Sequence, residues 1–181
     1  MAAVRVFLLV VCFAFNSWSG LFNRHLLDID QAKSDDAVLR KKLIEWARTE
    51  LGVRETTGNN DGKRVEQYLA CAGLKKGQPY CAAFVSFVFK QAGFDAPRTG
   101  WSPALFPNDR LVKVAVSGNV FGIYFPALKR IGHCGFIENS RGDWLGTIEA
   151  NTNIAGSREG DGVYRRIRHR RAIRSIADWT R

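Results

Sequence analysis

The chain has 181 residues, of which 46% are hydrophobic and 12% aromatic, so it is expected to bury one packed core and fold as one globular unit. Lysine and arginine number 27 against 17 acidic residues, and the resulting formal net charge of +10 implies a polyanionic partner. No recognisable nucleic-acid-binding motif is present, so cell-wall polymers or anionic lipid head groups fit this charge better than nucleic acid does.

The first nineteen residues have the parts of a secretory signal peptide. One positive charge in residues 1–5 precedes an apolar run over residues 6–15 and a short polar stretch that allows cleavage after Ser19. A membrane anchor is the less favoured alternative, because about ten apolar residues are too few to cross a bilayer. Lipidation at Cys12 is weaker still, since the residue before it is not small.

These observations predict a division of the chain into three parts. Residues 1–19 are expected to be a signal peptide, residues 20–33 a linker, and residues 34–181 the folded domain. The mature protein is then expected to be secreted or periplasmic.

Three segments with helical spacing of apolar residues predict helices. They cover about 34–51, 61–72 and 79–92. Glycines follow the predicted ends of all three segments, and a polar loop separates the first from the second. The third segment has apolar residues over a wide face, which indicates a central and largely buried helix.

The pattern changes to short strands separated by turns from Asn119 onward. The predicted strands are Val120–Tyr124, Ile131–Glu138, Trp144–Glu149, Gly162–Arg168 and Ile173–Ala177. Helices followed by an uninterrupted series of strands indicate an α+β domain with an antiparallel sheet.

Cys81 lies in the first turn of the third predicted helix. Unpaired backbone amides and the helix dipole favour an anion there, so its thiol is expected to ionise more readily than that of a free cysteine. This is the position of a nucleophile, although a small residue packed at a helix start explains it equally well. Once the signal peptide is removed, the remaining cysteines are Cys71, Cys81 and Cys134, and three thiols cannot all pair.

His133 is the candidate base for this nucleophile. It lies among apolar residues of the second predicted strand, where alternation places it and Cys134 on opposite faces. A structural histidine is the usual explanation for such a position, but few other histidines are available. Glu149 and Asn151 share one side of the next strand's end, and either one could orient the imidazole, unless Glu149 is a solvated strand end.

Other catalytic centres fit the sequence less well. A zinc site built from Cys71, Cys81, Cys134 and His133 would lack any Cys-x-x-Cys spacing. The Gly-x-Ser-x-Gly elbow of many serine hydrolases does not occur. The expected thiol mechanism needs no metal and no organic cofactor.

Three short motifs together resemble the CHAP family, the cysteine, histidine-dependent amidohydrolases and peptidases. Pro79–Ser86 resembles the family's catalytic helix start, Gly132–Ile137 its histidine strand, and Ile148–Asn151 its third motif. The motifs occur in the family's order, and the similarity extends over roughly Leu39 to Trp179.

The resemblance implies a papain-like α+β fold, in which N-terminal helices, with the nucleophile at a helix N-terminus, pack on an antiparallel sheet of about five strands. It also implies hydrolysis of peptidoglycan, at the amide joining muramic acid to the stem peptide or within the peptide. Cys81 matches the nucleophile, His133 the base, and Glu149 or Asn151 the orienting residue. Gln78 lies too far before Cys81 to be taken as an oxyanion donor, so the backbone amide of Cys81 is the surer one.

Substrate contacts are expected from residues that could border the cleft. Asn59 and Asn60 precede the second helix, Tyr80 precedes Cys81, and the ring of Trp101 could stack on a sugar or a peptide. Each of these is equally well explained as a packed or exposed loop residue.

Alternating arginines in and beyond the fourth predicted strand indicate a basic face that could hold the protein near an anionic wall, or more simply a solvated charge run. They are Arg165, Arg166, Arg168, Arg170 and Arg171.

Two other functions are compatible with the same motifs. A secreted cysteine protease or acyl transferase acting on protein would use the same thiol, and a catalytically inactive wall-binding module would hold it for structural reasons. We expect peptidoglycan as the partner, a monomeric protein, no stable membrane span after signal cleavage, and no bound nucleic acid.

Overall fold

A computed structural model describes residues 31–155 and 160–181. The predicted signal peptide and most of the predicted linker lie outside the described residues. Residues 31–38 are helical, and Leu39–Arg181 forms a separate compact unit. Within the described ranges, no helix has the length and apolar character needed to cross a membrane.

Three helices precede the sheet in the described part of the chain. Helix α1 ends at residue 49, α2 covers Lys63–Cys71, and α3 covers Cys81–Gln91. The first nine residues of α3 are all buried, as its apolar composition predicts. The helix ends where Gly93 takes a φ of 90° and the next backbone N–H, that of Phe94, bonds back to the carbonyl of Phe89.

Five antiparallel strands form one sheet with the order β4-β3-β2-β1-β5. They are β1 Val120–Phe125, β2 Arg130–Arg141, β3 Trp144–Thr152, β4 Gly162–His169 and β5 Ser175–Ala177. The predicted α+β class with an antiparallel sheet of about five strands is therefore confirmed. The last strand begins two residues later than predicted, and a 3₁₀ turn at Arg170–Ala172 lies between it and β4.

The sheet has an apolar cluster on each face. Val120 and Phe136 pack with α3 in the larger cluster, whereas Phe121 and Ile137, the next residue in each strand, belong to the smaller one. This is the alternation expected of a two-faced sheet. Cys134 belongs to the cluster that contains α3, so the sheet brings its thiol to the side on which Cys81 lies.

A bulge in β2 immediately precedes His133. Ile123 of β1 pairs with His133, and the next residue, Tyr124, pairs with Ile131, which leaves Gly132 as the extra residue. A Cβ at Gly132 would lie 2.7 Å from an aromatic carbon of Phe125 in β1, so a larger residue would require that ring to move. Bulges bend a strand and change the direction of the neighbouring side chains, and His133 is the residue that follows this one.

Candidate active site

Cys81 is the first residue of α3 and lies in a cleft of about 440 Å³, a size suited to a small ligand. Its side chain is only 5% exposed. The first turn of α3 contains no acidic residue. The partial positive charge of the helix start is therefore free to stabilise a thiolate at Cys81.

A second thiol, that of Cys134, lies beside Cys81. The hydroxyl oxygen of Ser102 is 3.4 Å from the sulfur of Cys81 and 3.9 Å from that of Cys134. Hydrogen bonding from Cys134 lowers the pKa of Cys81 well below its ordinary value of 9.0; burial opposes this shift, and His133 and Ser102 add to it. Burial and the Cys81 sulfur raise the pKa of Cys134 well above 9.0, so Cys134 remains a thiol that can donate to the Cys81 thiolate.

The imidazole of His133 is fixed through one of its two ring nitrogens. Nε2 lies 2.8 Å from Oε2 of Glu149, and both side chains are almost completely buried. Nδ1 is buried and has no hydrogen-bond partner of normal geometry among the described residues. Burial opposes protonation of the ring, but interactions with Cys81 and Glu149 raise the pKa of His133 to about 9. Because Nε2 is bound to Glu149, Nδ1 is the nitrogen that can exchange a proton with sulfur or substrate.

Glu149 is itself held by two further side chains. The hydroxyl of Thr147 donates to Oε1 at 2.6 Å, and Arg168 donates to both carboxylate oxygens, at 2.8 and 2.6 Å. Burial alone would raise the pKa of Glu149, but Arg168 and His133 lower it to about 2. The carboxylate therefore stays charged in its buried position, with a two-pronged arginine contact that fixes its orientation.

Gly135 has no side chain, which leaves space for the carboxylate of Glu149 next to the imidazole of His133. It pairs with Glu149 across β2 and β3, and it shares a strand face with His133 two residues earlier. A Cβ at Gly135 would lie 2.6 Å from the carbonyl oxygen of Ile148 and 3.1 Å from Cγ of Glu149. Any larger residue would therefore push β3 and its carboxylate away from β2.

Gly135→Ala should destabilise the protein by about 1–3 kcal/mol, because the added methyl group meets backbone at a distance that real Cβ atoms do not adopt. Urea unfolding measures this, with Ser140→Ala, an exposed position on the same strand, as the control. Unchanged stability of Gly135→Ala would contradict the tight packing between β2 and β3.

Asn151, the alternative orienting residue, has no contact with the ring of His133 among the described hydrogen bonds. Its side chain is 2% exposed, its φ is 57°, and its Oδ1 is buried without a partner in the described residues. The geometry thus places Glu149 against the imidazole, and a catalytic role for Asn151 stays a prediction.

The predicted substrate-binding residues fall in three places. Trp101 is 53% exposed and lines the cleft that contains Cys81. Tyr80 is completely buried against α2 and does not line that cleft. Asn59 and Asn60 line a second cavity, which shares Pro79 with the first. Their contacts with substrate stay predictions.

Three residues of the site were not identified from the sequence as parts of it. Ser102 comes from a 3₁₀ turn and has no recognisable motif, and Cys134 was considered as a remaining thiol and a possible zinc ligand but not as a neighbour of the nucleophile. Arg168 was grouped with the alternating arginines, but it is 16% exposed and paired with Glu149, so it does not belong to a solvated charge run. The strand register gives no direct sign of this contact, because Glu149 pairs with Tyr164 and Arg168 pairs with Leu145.

Comparisons of the chain with family models, with curated proteins and with solved structures find no match. Membership of the CHAP family therefore stays a prediction.

Iodoacetamide at pH 6 should alkylate Cys81 at least about tenfold faster than the partly exposed Cys71, because the thiolate is the reactive form and the surroundings of Cys81 favour it. Mass spectrometry of peptides after short exposures measures both rates. His133→Ala should slow the reaction at Cys81 and leave that at Cys71 unchanged. Equal rates at the two cysteines in the unmodified sequence would contradict an activated nucleophile.

Proposed function

We propose that the protein is a secreted, monomeric cysteine hydrolase of the CHAP type with a papain-like fold. Its substrate is peptidoglycan, cut either at the N-acetylmuramoyl-L-alanine amide or within the stem or cross-bridge peptide. One observation carries the proposal: Cys81 begins a buried helix in a cleft and interacts with the imidazole of His133, which the buried carboxylate of Glu149 holds. A nucleophile, a base and an orienting group in this relation are the parts of a thiol hydrolase.

The first half of the reaction forms a thioester. The Cys81 thiolate attacks the carbonyl carbon of the amide, a C–S bond forms, and the carbonyl electron pair moves onto oxygen. The backbone N–H of Cys81, at the start of α3, donates to this oxyanion. When the tetrahedral intermediate collapses, the C–N bond breaks and His133 gives its proton to the leaving amine.

The second half releases the acid. His133, now neutral, takes a proton from water while the oxygen attacks the thioester carbon. The C–S bond then breaks, which returns the Cys81 thiolate and the protonated His133. Gln78 lines the same cleft, and its side-chain carbonyl accepts from the N–H of Lys75, so its amide nitrogen is a further candidate donor to the oxyanion.

Charge and the N-terminal pattern support an extracellular substrate. The net charge, +10 for the full chain and +9 once Arg5 leaves with the signal peptide (10 minus 1), favours association with an anionic polymer such as the cell wall. The apolar run over residues 6–15 supports export. The resemblance of three motifs to the CHAP family supplies the substrate class.

Digestion of purified sacculi, followed by mass spectrometry of the soluble fragments, tests the proposal. Muramic acid freed of peptide would identify the muramoyl amide as the scissile bond, and new termini within stem peptides would identify an endopeptidase. Intact sacculi combined with cleavage of a protein substrate would favour the protease alternative. Binding to sacculi without any cleavage would favour a wall-binding module.

A further inference from the structure

The cleft that contains Cys81 is positively charged. Arg98 and Arg130 both line it, and none of its described lining residues is aspartate or glutamate. The remaining lining residues are neutral apart from Cys81, whose thiolate is balanced by the imidazolium of His133. A substrate that enters this cleft therefore meets net positive charge close to the reacting sulfur.

Arg130 is arranged to recognise a planar anion. Its guanidinium carbon lies 4.1 Å from the centre of the Trp101 ring, and one N–H donates to the carbonyl of Ile131 at 3.0 Å. No carboxylate pairs with Arg130 among the described residues. Stacking occupies a face of the guanidinium, whereas its five N–H donors lie in the plane, so donors at its edge remain available.

Arg98 contributes charge to the cleft but few donors. Its guanidinium nitrogens donate to the backbone carbonyls of Ser86, Phe94 and Pro97. These bonds fix the guanidinium of Arg98 to the surrounding backbone. The residue with donors left for a ligand is therefore Arg130.

The position of Arg130 relates it to the scissile bond. Its stacking partner Trp101 directly precedes Ser102, whose hydroxyl oxygen lies 3.4 Å from the sulfur of Cys81. Arg130 and Cys81 also line the same cleft. A group held by Arg130 while the amide carbonyl lies at Cys81 therefore belongs to a residue close to the cut amide.

We propose that Arg130, stacked on Trp101, forms a carboxylate-binding subsite, and that the substrate amide lies close to a residue with a free carboxylate. Two parallel hydrogen bonds from the guanidinium edge suit a carboxylate and suit a neutral carboxamide less well. The inference rests on the proposed function for the reaction itself, and it narrows the substrate to peptidoglycan whose acidic stem residue is not amidated.

A matched pair of ligands tests the subsite apart from catalysis. The pair consists of muramoyl stem peptides that are identical except for a free or an amidated α-carboxyl group on the glutamate residue. Binding to the Cys81→Ala variant, measured by calorimetry, should favour the free carboxylate by roughly 10- to 100-fold, the range of a charge-assisted pair. The preference should weaken as salt is added.

Variants of Arg130 test whether this residue causes the preference for the free carboxylate. Arg130→Gln should abolish the preference by weakening binding of the carboxylate form only, and Arg130→Lys, which keeps the charge without the planar fork, should restore part of it. Arg174→Gln is the matched control, because Arg174 also lies over an aromatic ring, that of Tyr124 at 5.9 Å, but lines a different cavity. It removes the same charge and should leave the preference intact.

The outcomes separate this inference from the proposed function. Preferential binding of the carboxylate form without hydrolysis of either peptide or of sacculi would uphold the subsite and overturn the function. Hydrolysis of both forms with equal binding, or a preference that survives in Arg130→Gln, would overturn the subsite and leave the function standing. Preferential binding together with faster hydrolysis of the carboxylate form would support both.

Discussion

Replacement of Cys81 by alanine should lower the rate at which sacculi are hydrolysed by at least about 10⁴-fold, the loss seen when a catalytic nucleophile is removed. The reason is that no other described side chain at the start of α3 can form the thioester. Release of soluble fragments from labelled sacculi measures the rate. Cys71→Ala is the matched control, since it removes a partly exposed thiol at the end of α2 and should leave the rate unchanged.

The stability of the Cys81→Ala variant shows whether its lower activity results from the missing thiol or from unfolding. Cys81 lines the cleft, so the removal of one sulfur atom should cost no more than about 1–2 kcal/mol of unfolding free energy. A folded Cys81→Ala variant that retains more than a tenth of the wild-type rate would rule out this residue as the nucleophile.

Glu149→Gln should lower hydrolysis by roughly 10²- to 10⁴-fold, because the imidazole loses the carboxylate that orients it and stabilises its charge. The pH profile gives a sharper readout. The active thiolate and imidazolium pair exists between the pKa of Cys81 and the pKa of His133, which is about 9 in the intact site. Without the carboxylate, the pKa of His133 falls, so the alkaline limb of the profile should move to lower pH.

The same substitution should also destabilise the protein by about 3–5 kcal/mol at neutral pH, since the guanidinium of Arg168 loses its buried partner. The folded pKa of Glu149 lies at about 2, below its ordinary 4.5. Its contribution to stability is therefore complete above pH 4.5 and lost as the pH falls towards 2, and Glu149→Gln should lack this acid-dependent loss.

Glu138→Gln is the control for both effects. Glu138 is a second buried carboxylate on the sheet, paired with Arg48 at 2.7 Å and with Arg165 at 2.6 Å, but it does not touch the imidazole. Its substitution should destabilise the fold and leave the pH profile of hydrolysis unchanged. A shift of the alkaline limb in Glu138→Gln, or none in Glu149→Gln, would contradict the orienting role of Glu149.

The sequence predicted most of the fold because local patterns determine most of it. Helical spacing and glycine stops located the three helices, and alternation located the five strands to within a few residues. The largest differences are at the ends of β2 and β3, which continue three residues beyond the predicted Glu138 and Glu149, to Arg141 and Thr152. The starts of α3 and β5 lie two residues later than predicted.

The site was only partly predictable, since its contacts depend on strand register. The sequence left Glu149 and Asn151 as alternatives, because both lie on one side of β3; the pairing of Glu149 with Gly135 brings the carboxylate to His133. Arg168 is nineteen residues further along the chain and reaches Glu149 across two paired strands. Hydrophobic periodicity alone shows neither the contact between Arg168 and Glu149 nor the bulge at Gly132.

The position of Arg168 on the outermost strand has a consequence for synthesis of the chain. A nascent polypeptide that has left the ribosome only as far as β3 already contains Cys81, His133 and Glu149. Until β4 docks on β3, however, Glu149 lacks Arg168, the first of the two cationic neighbours that keep its buried carboxyl charged. The carboxylate that holds His133 thus acquires its full set of partners only when the edge strand is in place, at one of the last steps of assembly.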